Sequence, residues 1–81
     1  MVVFVASAFK HGYGEDDFFE VPDMGPLKLR SRRELKGVYL LYGRNYAGEY
    51  LHIAYRREPE REVVFHMRAM SPREMRRFRN L

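Results

Sequence analysis

The sequence predicts a single α+β domain in which an antiparallel sheet of about four strands carries short N-terminal helices and a C-terminal helix. Three observations predict this class. The chain has 81 residues, which suits one domain, since domains of roughly 100–200 residues are usual. Apolar and polar residues alternate through its middle, and a helix-capping pattern follows near the C-terminus. We therefore expect one domain over residues 1–81.

The N-terminal part predicts one short strand and two short helices. Residues 2–5 (VVFV) form a β-branched and aromatic run that is typical of a strand. A turn or short helix over residues 7–11 is expected to end at Gly12, since glycine adopts the left-handed conformation that ends a helix. Residues 14–17 (GEDD) are expected to begin a second helix, because the helix dipole favours acidic side chains in the first turn. Pro22 is expected to end that helix.

The following residues predict a β-meander. Its four strands are expected at residues 27–30, 38–42, 49–56 and 62–69, with polar turns at 32–37 and 57–60 and a hairpin loop at 43–48 (GRNYAG). In a regular strand alternate side chains point to opposite faces. The last strand should therefore place one set on each face: Val63, Phe65 and Met67 on the first, and Val64, His66 and Arg68 on the second.

A capping box marks the start of the C-terminal helix. Ser71 is a favourable N-cap, Pro72 suits the first helical position, and a glutamate stands three residues after the cap. The helix is expected to run from Pro72 to about Asn80. Met75 and Phe78 are spaced three apart and should face the sheet.

The composition excludes several classes of protein. The chain has no Cys, so it has neither a disulfide framework nor a thiolate nucleophile nor a Cys-ligated zinc site. It contains no run of about 18 apolar residues, which a transmembrane helix needs. The apolar opening (MVVFVASAF) is short and lacks a basic leading segment, so no signal peptide is expected. These features predict a cytoplasmic protein that does not associate with membranes.

Charge is segregated along the sequence. Five acids and no base lie within residues 15–23, where a solvated helix face is the expected explanation, whereas residues 24–81 contain 14 basic and 6 acidic residues. Of the 15 basic residues, 12 are Arg, whose planar fork of donors matches phosphate better than the point charge of Lys. The excess of basic over acidic residues favours a polyanionic partner, although each single Arg is equally well explained as a solvated surface residue.

Three histidines are candidates for chemistry. His52 and His66 fall on adjacent predicted strands and are expected on one face, but no carboxylate is placed to complete a metal site, so a polar pair on a half-exposed face is the simpler interpretation. His11 is expected at a helix end, where it can serve as a general acid or base without a metal or cofactor. Its alternative role is that of a surface histidine whose charge suits a helix C-terminus.

No other catalytic pattern is present. The three serines lack a nucleophile-elbow context, and the chain has no glycine-rich phosphate loop. What remains is a basic and aromatic face formed by Tyr42, Arg44, Tyr46, Tyr55, Arg56, His66 and Arg68. Aromatic rings stack on unpaired bases and Arg binds phosphates, so this composition favours RNA. RNA cleavage needs only a base for the 2′-hydroxyl and cations for the extra negative charge.

Three segments in order resemble one family. They are Lys10-His11-Gly12, residues 43–51 (GRNYAGEYL) and residues 68–78 (RAMSPREMRRF). Together they are similar to the BrnT-type toxins and their relatives, over most of the chain from Lys10 onward. His66 departs from the pattern, because relatives have a small residue there.

The resemblance implies a RelE-like fold and a type II toxin–antitoxin role, in which the toxin cleaves mRNA without a metal. It implies that a cognate antitoxin, usually also a DNA-binding repressor, covers the toxin. By position, the family's histidine corresponds to His11 and its two arginines to Arg44 and Arg68. We expect His11 to act as base or acid and the arginines to hold phosphate. Lys10, Tyr55, Arg56, Arg76 and Arg77 are expected to bind the nucleic acid around them.

Two other functions remain open at this point. The domain is alternatively a non-catalytic nucleic-acid-binding module of the same fold, or a protein-interaction domain whose basic face meets an acidic partner. A second copy of the chain is a further candidate partner, because a domain of this size buries only about 60% of the surface that its unfolded chain exposes.

Overall fold

The computed structural model describes residues 1–32 and 35–79, with the side chain of residue 79 excepted. The strands are β1 (Val2–Phe4), β2 (Lys28–Ser31), β3 (Val38–Arg44), β4 (Tyr50–Arg57) and β5 (Glu62–Ala69). A 3₁₀ helix (Ala6–Phe9) and α1 (Glu15–Asp23) lie between β1 and β2, and α2 (Pro72–Glu74) continues into a π-helical turn (Met75–Arg79). The expected helix end near Asn80 and the centre of the 32–37 turn lie outside the described residues.

The sheet has five strands in the order β1-β5-β4-β3-β2. The meander from β2 to β5 is antiparallel, as predicted. The expectation of a wholly antiparallel sheet of about four strands is wrong, because β1 joins the edge of the sheet parallel to β5. The described structure is thus a single α+β domain with a mixed sheet. A strand of three residues carries no sequence signal for its partner or direction.

Helix α1 packs on one side of the sheet, which we call the α1 face. Phe18 and Val21 are buried there against Leu41, Leu51 and Ile53. The approach is close: a Cβ on Gly43 would lie 2.7 Å from Val21 Cγ1 and 3.3 Å from Pro26 Cα.

Pro22 does not end α1, contrary to the prediction. The helix continues to Asp23, and the Met24 N–H bonds to the Glu20 carbonyl at 2.9 Å. A proline in the last turn removes only one intrahelical hydrogen bond, so the turn survives.

A β-bulge in β5 changes the face of the sheet to which some of its side chains point. Ala54 pairs with His66, but the next residue of β4 pairs with Val64, so Phe65 has no partner. The bulge reverses the alternation, and the predicted faces are therefore wrong for three residues, Val63, Val64 and Phe65. Val64 is buried on the α1 face, whereas Phe65 packs on the opposite side, where His66 also lies. Ser7 Oγ donates a hydrogen bond to the Phe65 carbonyl at 2.9 Å.

The opposite side, which we call the α2 face, carries a second and smaller core. Leu40, Tyr42 and Ala54 pack there against Met70 and Phe78. The prediction that Met75 and Phe78 face the sheet is confirmed, because both contact this cluster. The capping box is also confirmed: the Glu74 N–H donates to Ser71 Oγ at 3.2 Å, and the Ser71 N–H donates to Glu74 Oε1 at 2.8 Å.

Across the described ranges, no helix combines the length and apolar character that crossing a membrane requires.

Candidate functional site

Three imidazole rings lie in a row on the α2 face. His66 is in ring contact with His11 on one side, at 5.7 Å between centroids, and with His52 on the other, at 5.5 Å. His52 in turn stacks on Tyr42 at 4.7 Å, and Tyr42 contacts Phe78 at 4.3 Å. The row therefore runs from the turn after the 3₁₀ helix to the C-terminal segment.

Strand register places two of these histidines beside an arginine. His52 lies opposite Arg68, and Ala54 lies opposite His66, so Arg68 and His66 project from the same face of β5. His11 joins them because the 3₁₀ helix packs against β5 and Gly12, with φ of +89°, turns the chain there. The left-handed conformation expected of Gly12 is thus confirmed, although the 3₁₀ helix itself ends at Phe9 and a turn over Lys10 and His11 lies between them.

A groove of about 310 Å³ opens beside this row. Its polar lining comes from His52, His66 and Arg68, and its apolar floor includes Leu40, Ala54 and Phe65. Its other walls are Arg32, Leu35 and Val38. The bulge brings the Phe65 ring to the groove, beside His66, which regular alternation with Arg68 places there.

Arg68 forms an ion pair across the end of the groove. Its two terminal nitrogens donate to the two carboxylate oxygens of Glu74, at 2.7 and 3.0 Å, and one of them also donates to the Ala69 carbonyl at 2.9 Å. Burial raises the pKa of Glu74, but the bonds from Arg68 and from the Ser71 N–H outweigh it and lower the pKa to about 2. The carboxylate is therefore charged at neutral pH.

The inner histidines are neutral at the same pH. Burial, with a smaller effect of Arg68, lowers the pKa of His52 to about 4. Both of its ring nitrogens are buried and make no hydrogen bond to the described residues. Burial also lowers the pKa of His66, followed by the charges of Arg68 and His11. A neutral imidazole has a free lone pair, so His66 can accept a proton.

The α2 face is the basic side of the sheet. Lys28 and Arg30 lie there opposite Tyr42 and Leu40, and the alternation of β4 adds Arg56, which binds Glu58 at 3.2 Å. Sequence reasoning left Arg30 out of the site, although its charge also lowers the pKa of His52. The acidic helix α1 packs on the other side of the sheet, so these basic residues and the acidic segment of the sequence lie on opposite faces.

Two of the three predicted catalytic residues come together. His11 touches His66, and Arg68 is two residues from His66 on the same face. Lys10 acts on the same ring, since its charge contributes to the lowered pKa of His66. The structure thus places Lys10, His11 and Arg68 around one imidazole.

Arg44 lies apart from this group. It is exposed at the end of β3, opposite Tyr50, on the α2 face. From strand spacing and rise per residue, its Cα is about 12 Å from that of Arg68. Arg44 is therefore not part of the group formed by His11, His66 and Arg68.

Tyr55 does not belong to the α2 face. It is only 5% exposed, on the α1 face, in ring contact with Phe18 and Tyr39. Its assignment as a nucleic-acid-binding residue is corrected, because its ring is covered by the core. The alternation of β4 already placed Tyr55 with Leu51 and Ile53.

The remaining predicted contacts are at the surface. Arg76 and Arg77 are exposed on the C-terminal π-helical turn, and the Arg77 guanidinium lies 5.4 Å from the centre of the Phe78 ring. Tyr46 is exposed, but its hydroxyl donates to Asp23 at 2.5 Å and its N–H to Glu20 at 2.8 Å. The ring of Tyr46 is thus held against α1, away from the groove.

The acids of α1 bind the hairpin loop, so the expectation of a merely solvated helix face is wrong. Asn45 is 3% exposed. Its side-chain amide donates to Asp17 at 2.9 Å, and its side-chain oxygen accepts from the Glu49 N–H at 2.9 Å. Asp17 also accepts from the Gly14 N–H at 2.8 Å. Periodicity gives no sign of such bonds between distant segments.

No three His, Asp or Glu side chains in residues 1–32 and 35–79 are arranged to hold a metal ion. Comparison of the chain with protein-family models, with curated proteins and with solved structures finds no match.

Proposed function

We propose that the chain is a metal-independent endoribonuclease that acts on mRNA as the toxin of a type II toxin–antitoxin system. The observation that supports this most directly is the position of His11 beside His66 and Arg68, next to an open groove on the basic face. One ring that can exchange protons and one guanidinium that can bind phosphate are the minimum for RNA transesterification.

The chemistry uses the substrate's own nucleophile. A base removes the proton of the 2′-hydroxyl, the 2′ oxygen bonds to phosphorus, and the bond from phosphorus to the 5′ oxygen breaks. The products are a 2′,3′-cyclic phosphate and a 5′-hydroxyl. The role of Arg68 is to bind the non-bridging oxygens, where negative charge increases in the transition state. DNA lacks the 2′-hydroxyl, so RNA is the substrate.

The flanking cations bind the rest of the strand. Lys10 stands next to His11, and Arg44 and Arg56 lie farther along the α2 face. Arg76 and Arg77 border its C-terminal side. Contacts of this kind are electrostatic and largely independent of base sequence.

The partner in this proposal is a small antitoxin that covers the groove, and the place of action is the cytoplasm. Both follow from the resemblance of residues 10–12, 43–51 and 68–78 to BrnT-type toxins. Coexpression with the product of an adjacent small reading frame tests the partner: relief of growth arrest together with a stable complex supports it, and unrelieved arrest contradicts it.

Cleavage of a labelled single-stranded RNA tests the activity. His11→Gln removes the imidazole from an exposed turn, so the fold should persist, and the rate should fall by roughly 10²–10⁴. Arg68→Lys keeps the charge but not the fork, and a loss of roughly 10²-fold is expected. Arg61→Gln is the matched control, since Arg61 binds Glu58 in the turn at the far end of β5, and its rate should match the parent's. Absence of cleavage by the parent protein, or full activity of both site variants, contradicts the proposal.

One observation favours a second candidate, a non-catalytic RNA-binding module. Both terminal nitrogens of Arg68 already bind Glu74, so a phosphate must compete with that carboxylate. Salt-sensitive RNA binding without cleavage by the parent protein would support this alternative.

A further inference from the structure

We infer that His66 is a second acid–base residue of this centre and that it works as a pair with His11, an inference that rests on the proposed ribonuclease function. The two rings are 5.7 Å apart between centroids and nearly perpendicular, at 81°. Transesterification moves two protons, one from the 2′-hydroxyl and one to the leaving 5′ oxygen. Two adjacent imidazoles can carry out both proton transfers at a single phosphate. One ring has to come within about 3 Å of the 2′ oxygen and the other within about 3 Å of the 5′ oxygen.

The position of His66 on the sheet fits this role. It is partly buried on β5, where its pairing with Ala54 directs it to the groove, so its ring is held in place, whereas His11 is in an exposed turn. The charged or titratable groups around it are Arg68 on its own strand, His52 on β4, Lys10 and His11 on the turn, and Glu74 on α2. Burial, together with the excess of cations over the single carboxylate, disfavours the charged form of His66, so it is neutral near pH 7 and is the proton acceptor.

The roles of the two rings follow. His66 takes the proton of the 2′-hydroxyl while the 2′ oxygen bonds to phosphorus. His11, in its protonated form, gives its proton to the 5′ oxygen as the bond from phosphorus to that oxygen breaks. After the step His66 carries the proton of the former 2′-hydroxyl and His11 has given its own proton to the 5′-hydroxyl of the product, and exchange with water restores both rings.

The test is a single-turnover cleavage assay on a short RNA between pH 5 and 9, with RNA affinity measured separately. His66→Gln keeps a polar side chain but cannot titrate. It should lower the cleavage rate by roughly 10²–10⁴, leave the affinity within about twofold, and remove the rise in rate on the acidic side of the pH profile. His66→Ser makes space for added imidazole, which should restore part of the rate and so show that this variant is folded.

A modified substrate separates the two rings. When sulfur replaces the leaving 5′ oxygen, the leaving group needs no proton, so His11→Gln should regain its rate while His66→Gln stays slow. Cleavage by His66→Gln at the parent rate with the parent pH profile would overturn the inference and leave the proposed function standing. Absence of cleavage by the parent protein would overturn both.

Discussion

Arg68 binds Glu74 through two hydrogen bonds of 2.7 and 3.0 Å, and this pair joins β5 to the start of the C-terminal helix. Glu74 also closes the capping box with Ser71. The proposed phosphate ligand is therefore also the residue that fixes the segment bearing Phe78, which covers Tyr42. Substitutions of Arg68 need a stability measurement beside any activity measurement for this reason.

Glu74→Gln should destabilise the fold at neutral pH by about 1–3 kcal/mol, because it breaks a charged hydrogen-bonded pair that is partly buried. Folding lowers the pKa of Glu74 from 4.5 to about 2. Between pH 4.5 and about 2 the Glu74 carboxyl is protonated in the unfolded chain but charged in the folded protein. The contribution of Glu74 to the free energy of unfolding is therefore complete above pH about 4.5 and is lost as the pH falls toward 2. The difference in unfolding free energy between parent and variant should shrink over the same window in urea titrations. Glu60→Gln, at an exposed position, is the control. The prediction would be contradicted if the difference in unfolding free energy from the parent did not depend on pH for either variant.

His52→Phe should stabilise the protein by about 1 kcal/mol at pH 7, since it removes two buried ring nitrogens that have no partner among the described residues. The folded-state pKa of His52 lies near 4, below the ordinary value of 6.5. The parent should therefore lose stability as pH falls from 6.5 to 4, while the variant loses less. Thermal unfolding across this range measures the difference, and parallel curves would contradict the prediction.

Gly43→Ala should destabilise the protein by about 1–3 kcal/mol, because the new Cβ would lie 2.7 Å from the buried Val21 and 3.3 Å from the Pro26 backbone. Gly14→Ala is the matched control, since its Cβ would meet nothing within 4 Å. Chemical denaturation of both variants measures the contrast. Equal stability of the two variants would show that α1 does not pack this closely on β3.

Asn45→Ala should cost about 1–3 kcal/mol, because the buried amide joins the hairpin loop to Asp17 of α1 and orders the loop through Glu49. Tyr46→Phe removes the exposed hydrogen bond to Asp23 and should cost less than about 1 kcal/mol. Denaturant unfolding of the two variants provides the measurement. A larger loss for Tyr46→Phe than for Asn45→Ala would be inconsistent with the buried network.

Local signals predicted most of the described elements. The Ser71 cap and the left-handed Gly12 each depend on residues close in sequence, and both are confirmed. The direction of β1 and the bulge at Phe65 were not predictable from the sequence. Both depend on how distant segments pack, and no local pattern records that.

In the candidate site, too, some features follow from the local sequence and others only from the packing of distant segments. Alternation along the strands placed His52, His66 and Arg68 on one face. The contact between His11 and His66 depends on the packing of the 3₁₀ helix, and the ion pair of Arg68 depends on where the C-terminal helix begins. The capping box identified Glu74 from the sequence, but only the fold brings its carboxylate to Arg68.

The central claim is that His11, His66 and Arg68 form one site for a phosphodiester. NMR of the imidazole and guanidinium groups during titration with a short 2′-O-methyl RNA, which lacks the attacking hydroxyl, tests it most directly. We predict that the signals of these three side chains shift together, with the same apparent affinity, and that those of Tyr46 stay constant. Unchanged signals at His11, His66 and Arg68 while Arg76 and Arg77 respond would contradict it.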